Sequence, residues 1–325
     1  MTTKSISTTE FSFPNQTEVY HGKVRDVYTI ANKYMVSVAT DRISAFDVIL
    51  PRAIPYKGQV LNQLAEYFLK NTSDIIPNWL ISVPDPSVSI GHKLDPIRIE
   101  MVVRGGLVGY SWRVYNSGER VICGITMPDS MQEYDMFPAP IITPSTKAVA
   151  GHDEDISAEA IVERGLVSAE EFATLSDYTL KLFARGQKMA NERGLILMDT
   201  KYEFGKDETG KIYLIDEIHT PDSSRYFYKD SYEGYLKDRS LETPKHLSKE
   251  FVREWLMAGG FSGHTGETVP EMTDDFVKLV SDRYIELFEQ VSGQTFVKPD
   301  QGVDPIKRIE TSVLSALKEL DDATN

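Results

Sequence analysis

A chain of 325 residues has room for about two domains, and 41% hydrophobic with 26% charged residues is the balance of a globular protein rather than a disordered or fibrous one. Its 35 basic and 49 acidic residues leave a net charge of −14, which argues against non-specific binding to nucleic acid or to an anionic membrane surface. The opening MTTKSISTTEFSFPNQ has no apolar run, no stretch reaches the roughly 18 apolar residues of a membrane span, and Cys123 is the only cysteine. A cytoplasmic protein without secretory signal, membrane span or intrachain disulfide is therefore expected.

Residues Glu18 to Thr40 alternate as a strand meander with turns at HGK and ANK. The first turn sets Gly22 beside Lys23, with Arg25 two residues on. Such a hairpin can lie over nucleotide phosphates, and it can equally be an ordinary surface turn; it is neither a Walker A loop nor the three-glycine loop of kinases. Asp41 to Gly58 is an irregular, charge-rich segment of the kind that carries binding groups. Val60, Leu61, Leu64 and Phe68 then recur at helical spacing, predicting a core-facing helix from Gln59 to Lys70. In PIRIEMVVRGG the alternation turns Ile97, Ile99, Met101 and Val103 inward and sets Glu100 and Arg104 on the other face, as ligand contacts or as a solvent-side pair. GLVGYSWRVYNSG reads as a short helix joining two lobes.

Ile141 to Ser157 is expected to be a long loop holding Lys147 and an acidic cluster around His152. A long helix follows, with Ser168 as N-cap, Glu171 in the capping-box position and Gly194 as its stop. It leads into LILMDTKYEFGKDETGKIYLIDEIHTPDSSRY, a hairpin with charges where buried strands are normally apolar. Strict alternation places Leu195, Leu197, Asp199, Lys201 and Glu203 on one face. A turn centred near Glu208 sets Lys201 opposite Asp216, with Glu203 as the diagonal neighbour. Two acids and a lysine among apolar strands need partners, which Mg²⁺ with nucleotide phosphates would supply. The plainer alternative is a solvated face on which Lys201 pairs with Asp216. Beyond Tyr226 the amphipathic helices read as scaffold.

Taken in order, GKVRDVY, DRISAFD, PYKG, IEMVVRG, TPSTK, GHDEDIS, DTKYEFG and DEIHTPDSSR resemble the SAICAR synthetase family over roughly residues 18 to 290. The resemblance implies an α+β fold, a β-rich lobe (1–105) and a larger α/β lobe (106–325) enclosing ATP, somewhat as in kinases and ATP-grasp enzymes. It implies a purine-biosynthesis ligase that joins L-aspartate to carboxyaminoimidazole ribotide with consumption of ATP, through an acyl phosphate. By motif position, Glu203 and Asp216 would hold Mg²⁺, and Lys23, Arg25, Glu100 and Lys147 would serve ATP. Lys201 and Asp199 would act at the ribotide, while Arg104, Asp153, Ser224 and Arg225 would bind substrate. Small molecules are the expected partners, with a monomer favoured. The chain departs from the pattern at Gly106, where many members have an aromatic residue, and at Tyr110, where the substrate-binding serine falls. It departs again at YFYKD after Arg225, where a Phe-Trp pair is usual. Another ATP-dependent ligase, a small-molecule kinase, or a nucleotide-binding regulator without turnover are the alternatives; a protein kinase is disfavoured by the absence of HRD and DFG.

Overall fold

The alternation between Glu18 and Thr40 becomes β1 (Gln16–His21), β2 (Arg25–Ile30) and β3 (Tyr34–Ala39) in a computed structural model that describes residues 5–147, 154–300 and 302–324. Short strands β4 (Ser44–Ala45) and β5 (Val48–Ile49) lead to α1 (Lys57–Asn71), slightly longer than the apolar stripe predicts, then β6 (Leu80–Asp85), β7 (Val88–His92) and β8 (Asp95–Gly106). Next come α2 (Gly109–Asn116), β9 (Val121–Ile122), β10 (Ile125–Thr126), β11 (Met136–Ile142), β12 (Ser145–Thr146), α3 (Ala158–Glu163) and α4 (Ala169–Asn191). The chain closes with β13 (Leu195–Lys206), β14 (Ile212–Ile215), β15 (Ser224–Tyr228), α5 (Lys229–Lys237), β16 (His246–Leu247), α6 (Glu250–Ala258), α7 (Asp274–Ser292) and α8 (Pro305–Thr324). This is an α+β fold.

Two compact units result. The first contains Met1–Leu69, Trp79–Lys93 and Lys249–Asn325; the second contains Lys70–Asn78 and Leu94–Ser248. The division expected after residue 105 falls instead on β8, inside the second unit, and so does the GLVGYSWRVYNSG segment read as a joint between lobes. The physical reason is pairing. Residues 95–106 are hydrogen-bonded to β11 and β13, so the chain cannot part there, and the last helices return to the first unit.

In the first unit an antiparallel sheet of order β1-β2-β3-β7-β6 packs against α8. Ile309, Val313 and Leu317 of that helix join Tyr28, Val36, Val38 and Ile90 in one buried cluster, so the tail completes the core. Arg308 of α8 donates to both oxygens of buried Asp85 at 2.6 and 3.1 Å. At the start of α1 a Cβ on Gly58 would stand 2.2 Å from the Ala39 carbonyl oxygen, so only glycine allows this approach.

The second unit is a seven-stranded sheet running β11-β8-β13-β15-β16, with β12 also on β8 and β14 on β13. The capping box forms as predicted: Ser168 Oγ accepts from Glu171 N and Glu171 Oε2 accepts from Ser168 N. Gly194, at φ +70°, turns the chain into β13. Helix α4 lies against β13, its Gly186 leaving space for Leu197 and His219, where a Cβ would come within 2.8 Å of both.

Candidate active site

One face of the second unit's sheet gathers most of the charged residues singled out in the sequence, but strict alternation does not put them there. The register of β13 against β15 slips between Leu197 and Asp199. Leu197 packs toward α4, whereas Ile196 and Met198 join Phe227 and Val108 on the opposite side. After the slip Asp199, Lys201 and Glu203 share that second side. A β-bulge thus separates Leu195 and Leu197 from the charges they were expected to accompany.

Arg104 on β8 and Arg225 on β15 are both cross-strand neighbours of Asp199. Arg225 Nη1 donates to Asp199 Oδ2 at 2.6 Å, while Arg104 Nη1 stays 3.6 Å from the same oxygen. The Arg104 side chain is 9% exposed, and its one hydrogen bond among the described residues runs from Nε to Thr143 Oγ1 at 2.8 Å. Burial pushes its pKa down and Asp199 pulls it up, with Arg225 adding to the downward push. Gly109, at φ +53°, opens α2 so close to Arg225 that a Cβ would lie 2.3 Å from Nη2. This corner suits an anion: the Arg104 guanidinium is desolvated, and among the described residues only its Nε is hydrogen-bonded.

Further along the same face Glu203 stands directly opposite Glu100. Like charges in that arrangement repel. Lys201 Nζ relieves them, lying 2.5 Å from Glu100 Oε1 and 2.8 Å from Glu203 Oε1, and Lys147 bonds Glu203 Oε2. Burial alone would lower the Lys201 pKa, but Glu203, Glu100 and Asp216 overcome it and raise it. Burial would raise the Glu203 carboxyl, yet Lys201 and Lys147 hold it below the ordinary range.

The TPSTK stretch, expected as the start of a loop, is largely extended beside β8. Its alternate residues each meet one polar group of the face: Thr143 takes Arg104, Ser145 Oγ reaches Glu100 Oε2 at 3.3 Å, and Lys147 takes Glu203. The period of two predicts such a row once the segment is known to be a strand.

Asp216 arrives by an unexpected route. Glu203 pairs with Ile215, so Lys201 does not face Asp216 in the ladder and the expected register is one residue out. A one-residue slip should turn Asp216 to the other side. However, β14 ends at Ile215, and Asp216 takes φ +60°, a left-handed conformation that reverses the alternation. Its charge acts on Lys201. His219, at φ +55°, anchors the far end of this kink: its Nε2 is 2.6 Å from Tyr202 Oη, and its carbonyl accepts from Tyr226 Oη at 2.8 Å. Burial lowers the His219 pKa to about 3, so the imidazole is neutral at ordinary pH.

The remaining predicted residues lie elsewhere. Ser224 is buried, hydrogen-bonded to Thr200 Oγ1 at 2.8 Å, on the side of the sheet opposite Arg225, because adjacent strand residues face opposite ways. Asp153 falls outside the described residues. Lys23 and Arg25 belong to the first unit, at the β1–β2 turn, where Lys23 pairs with Asp47. Arg42, in the charge-rich segment from Asp41 to Gly58, braces this turn. It donates to the carbonyls of Gly22 at 2.9 Å and Lys23 at 3.1 Å, to Ser7 O at 2.6 Å, and to Asp26 Oδ1 at 2.8 Å. Burial would raise the Asp26 carboxyl; Arg42, His21 and Thr9 outweigh it and hold the pKa down.

Buried Arg104 and half-buried Arg225 beside a lysine–carboxylate cluster on an α+β scaffold fit the class of enzymes that act on anionic small molecules. The family model for SAICAR synthetase matches residues 18–267. Phosphoribosylaminoimidazole-succinocarboxamide synthases of Bacteroides thetaiotaomicron and Flavobacterium psychrophilum are 57% and 55% identical, each over 97% of this chain and 100% and 99% of their own lengths. The SAICAR-synthase of Saccharomyces cerevisiae, solved in complex with SAICAR, is 34% identical with a TM-score of 0.77, over 90% of this chain and 100% of that one. The chain belongs to the SAICAR synthetase family and is an ATP-dependent ligase of purine biosynthesis. No helix among the described residues is long and apolar enough to cross a membrane.

Proposed function

We propose that this ligase activates the ring carboxylate of carboxyaminoimidazole ribotide with the γ-phosphoryl group of ATP and then joins it to L-aspartate. In the first step a carboxylate oxygen bonds to the γ-phosphorus as the β–γ bridging bond breaks and ADP leaves. In the second, the aspartate amine attacks the acyl carbon, phosphate departs with the carbon–oxygen bonding pair, and the nitrogen loses a proton to give the amide. Such transfer rests on positioning and charge neutralisation rather than on a protein nucleophile.

The observation that carries the substrate assignment is Arg104: a buried guanidinium, with donors left over among the described residues, beside Arg225. An anionic group of the ribotide supplies further acceptors to Arg104, and Asp199, cross-strand neighbour of both arginines, helps to orient them toward it. Lys201 holds Glu100 and Glu203 together and brings a fixed cation to the reacting groups. Lys147, the more exposed of the two lysines on Glu203, is assigned to ATP phosphates, and Lys23 and Arg25 keep a role toward ATP by motif alone. Asp153 keeps a substrate role by motif alone.

Glu203 and Asp216 fit a magnesium ion in donor chemistry. Both are carboxylates acting on Lys201, and no group of three or more acids, histidines or cysteines among the described residues could hold a metal unaided. Mg²⁺ commonly takes one or two carboxylates and fills its shell with phosphate oxygens and water. When bound it would neutralise charge on the transferred phosphoryl group. The single cysteine agrees with a cytoplasmic setting, and one chain carries every group named.

The test is ADP release with Mg²⁺ and ATP, adding the ribotide and L-aspartate separately and together, for the wild type and Glu203→Gln. Release that needs both substrates, yields the succinocarboxamide and vanishes in the folded variant is the expected result. Full turnover by Glu203→Gln would remove Glu203 from the metal role. Release with a different acceptor would overturn the substrate assignment.

A further inference from the structure

Tyr110 stands where the motif otherwise calls for serine, and its contacts are unused by the chemistry above. Its hydroxyl donates to Asp155 Oδ2 at 2.7 Å. The ring centre lies 5.7 Å from the guanidinium carbon of Arg104 and 5.9 Å from that of Arg113. Both separations are within the range of cation–π attraction, which strengthens where the cation is desolvated, as Arg104 is.

Asp155 is itself held. It forms a backbone bridge with Ser145, whose hydroxyl reaches Glu100. The Asp155 bond, with burial, moves the Tyr110 pKa up to about 12, so the phenol remains a donor at any working pH. Arg104, by contrast, has among the described residues one side-chain hydrogen bond, to Thr143 through Nε, and a 3.6 Å approach to Asp199. The ring of Tyr110 adds a face against which the guanidinium plane can rest, beside the charge of Asp199.

We propose that Tyr110, fixed by Asp155, is a positioning residue that orients the Arg104 guanidinium for the anionic group of the ribotide and thereby sets the affinity for that substrate. This rests on the assignment of Arg104 to the ribotide. A serine at this place could contact a ligand but could not stack on a guanidinium, so the orientation of Arg104 here is a property of this chain's own residues.

The test is steady-state kinetics of Tyr110→Ala, Tyr110→Phe, Asp155→Ala and Arg104→Ala, with KM for each of the three substrates, kcat and a thermal melt. Tyr110→Ala should raise the ribotide KM about tenfold, leaving kcat and the KM values for ATP and L-aspartate within about twofold. Tyr110→Phe keeps the ring and loses the Asp155 bond, so its rise should be smaller, about threefold. Asp155→Ala should match it, and the two changes together should not add. An unchanged ribotide KM in Tyr110→Ala, while Arg104→Ala raises it, would overturn the Tyr110 proposal alone. If Arg104→Ala also leaves it unchanged, the ribotide assignment itself fails. Equal losses toward all three substrates with a lowered melting temperature would make Tyr110 merely structural and refute the proposal.

Discussion

Asp41 should make the folded protein less stable as pH rises from 4 to 7, and Asp41→Asn should abolish that part of the slope. The carboxylate is 4% exposed; Oδ2 accepts from Ile6 N at 2.8 Å and Oδ1 from Gly58 N at 3.0 Å. Burial raises its pKa from 3.8 to about 6, although those two N–H groups, Lys57 and Arg308 pull the other way. Between the unfolded and folded values the native state binds more protons than the unfolded state. The stabilisation is therefore fully present below the unfolded value near 3.8 and is lost as pH rises through the folded value near 6. A shift of about 2 units corresponds to about 3 kcal/mol. Urea titrations of the wild type and Asp41→Asn at half-unit steps from pH 4.5 to 7.5 read this directly. The stability of the variant relative to the wild type should rise by most of that amount across the range. The comparison does not depend on the variant's absolute stability, which also reflects a lost acceptor for one N–H. A difference that stays constant with pH, or that changes in the opposite direction, would refute the reasoning.

Lys201→Met keeps bulk but removes the cation between Glu100 and Glu203. With Lys201 about a third exposed, the lower end of the cost of breaking a buried pair applies, about 3 kcal/mol, seen as a urea midpoint lower by about 1 M. Gly109→Ala introduces both a left-handed alanine and a Cβ 2.3 Å from Arg225 Nη2, so the ribotide KM should rise by more than about tenfold while the KM for ATP holds. Ser168→Ala removes half of the α4 capping box and should cost about 1 kcal/mol in thermal or urea melts without changing kcat.

Where a side chain's place depends on a regular period or a local cap, the sequence is a sufficient guide. The inward row Ile97, Ile99, Met101 and Val103, the stripe on α1 and the Ser168–Glu171 box are all read correctly from spacing. Long-range returns are not legible in the same way. Nothing in PIKRIETSVLSALKEL announces that Ile309 and Val313 complete a core begun at Ile6, because an amphipathic face specifies burial but not against what. Arg42 was equally hidden. Its role is to satisfy carbonyls of a turn distant in sequence, and only the folded β1–β2 hairpin brings those acceptors to it.

The charged face owes its composition to two departures from regular β-structure. Continued alternation through Met198 would leave Asp199, Lys201 and Glu203 on the side of α4, among Leu197 and His219; the bulge moves all three at once. Continued strand at Asp216 would turn it away from Lys201; the left-handed residue turns it back. A non-glycine residue in that conformation costs about 1–2 kcal/mol and persists only where its surroundings fix it. Here they do: the kink ends at His219, which is wedged against Gly186 of α4 and bonded to Tyr202 and Tyr226. The neutral, buried histidine thus acts on the site through backbone geometry rather than through its own titration, and Gly186 is small so that His219 can do so.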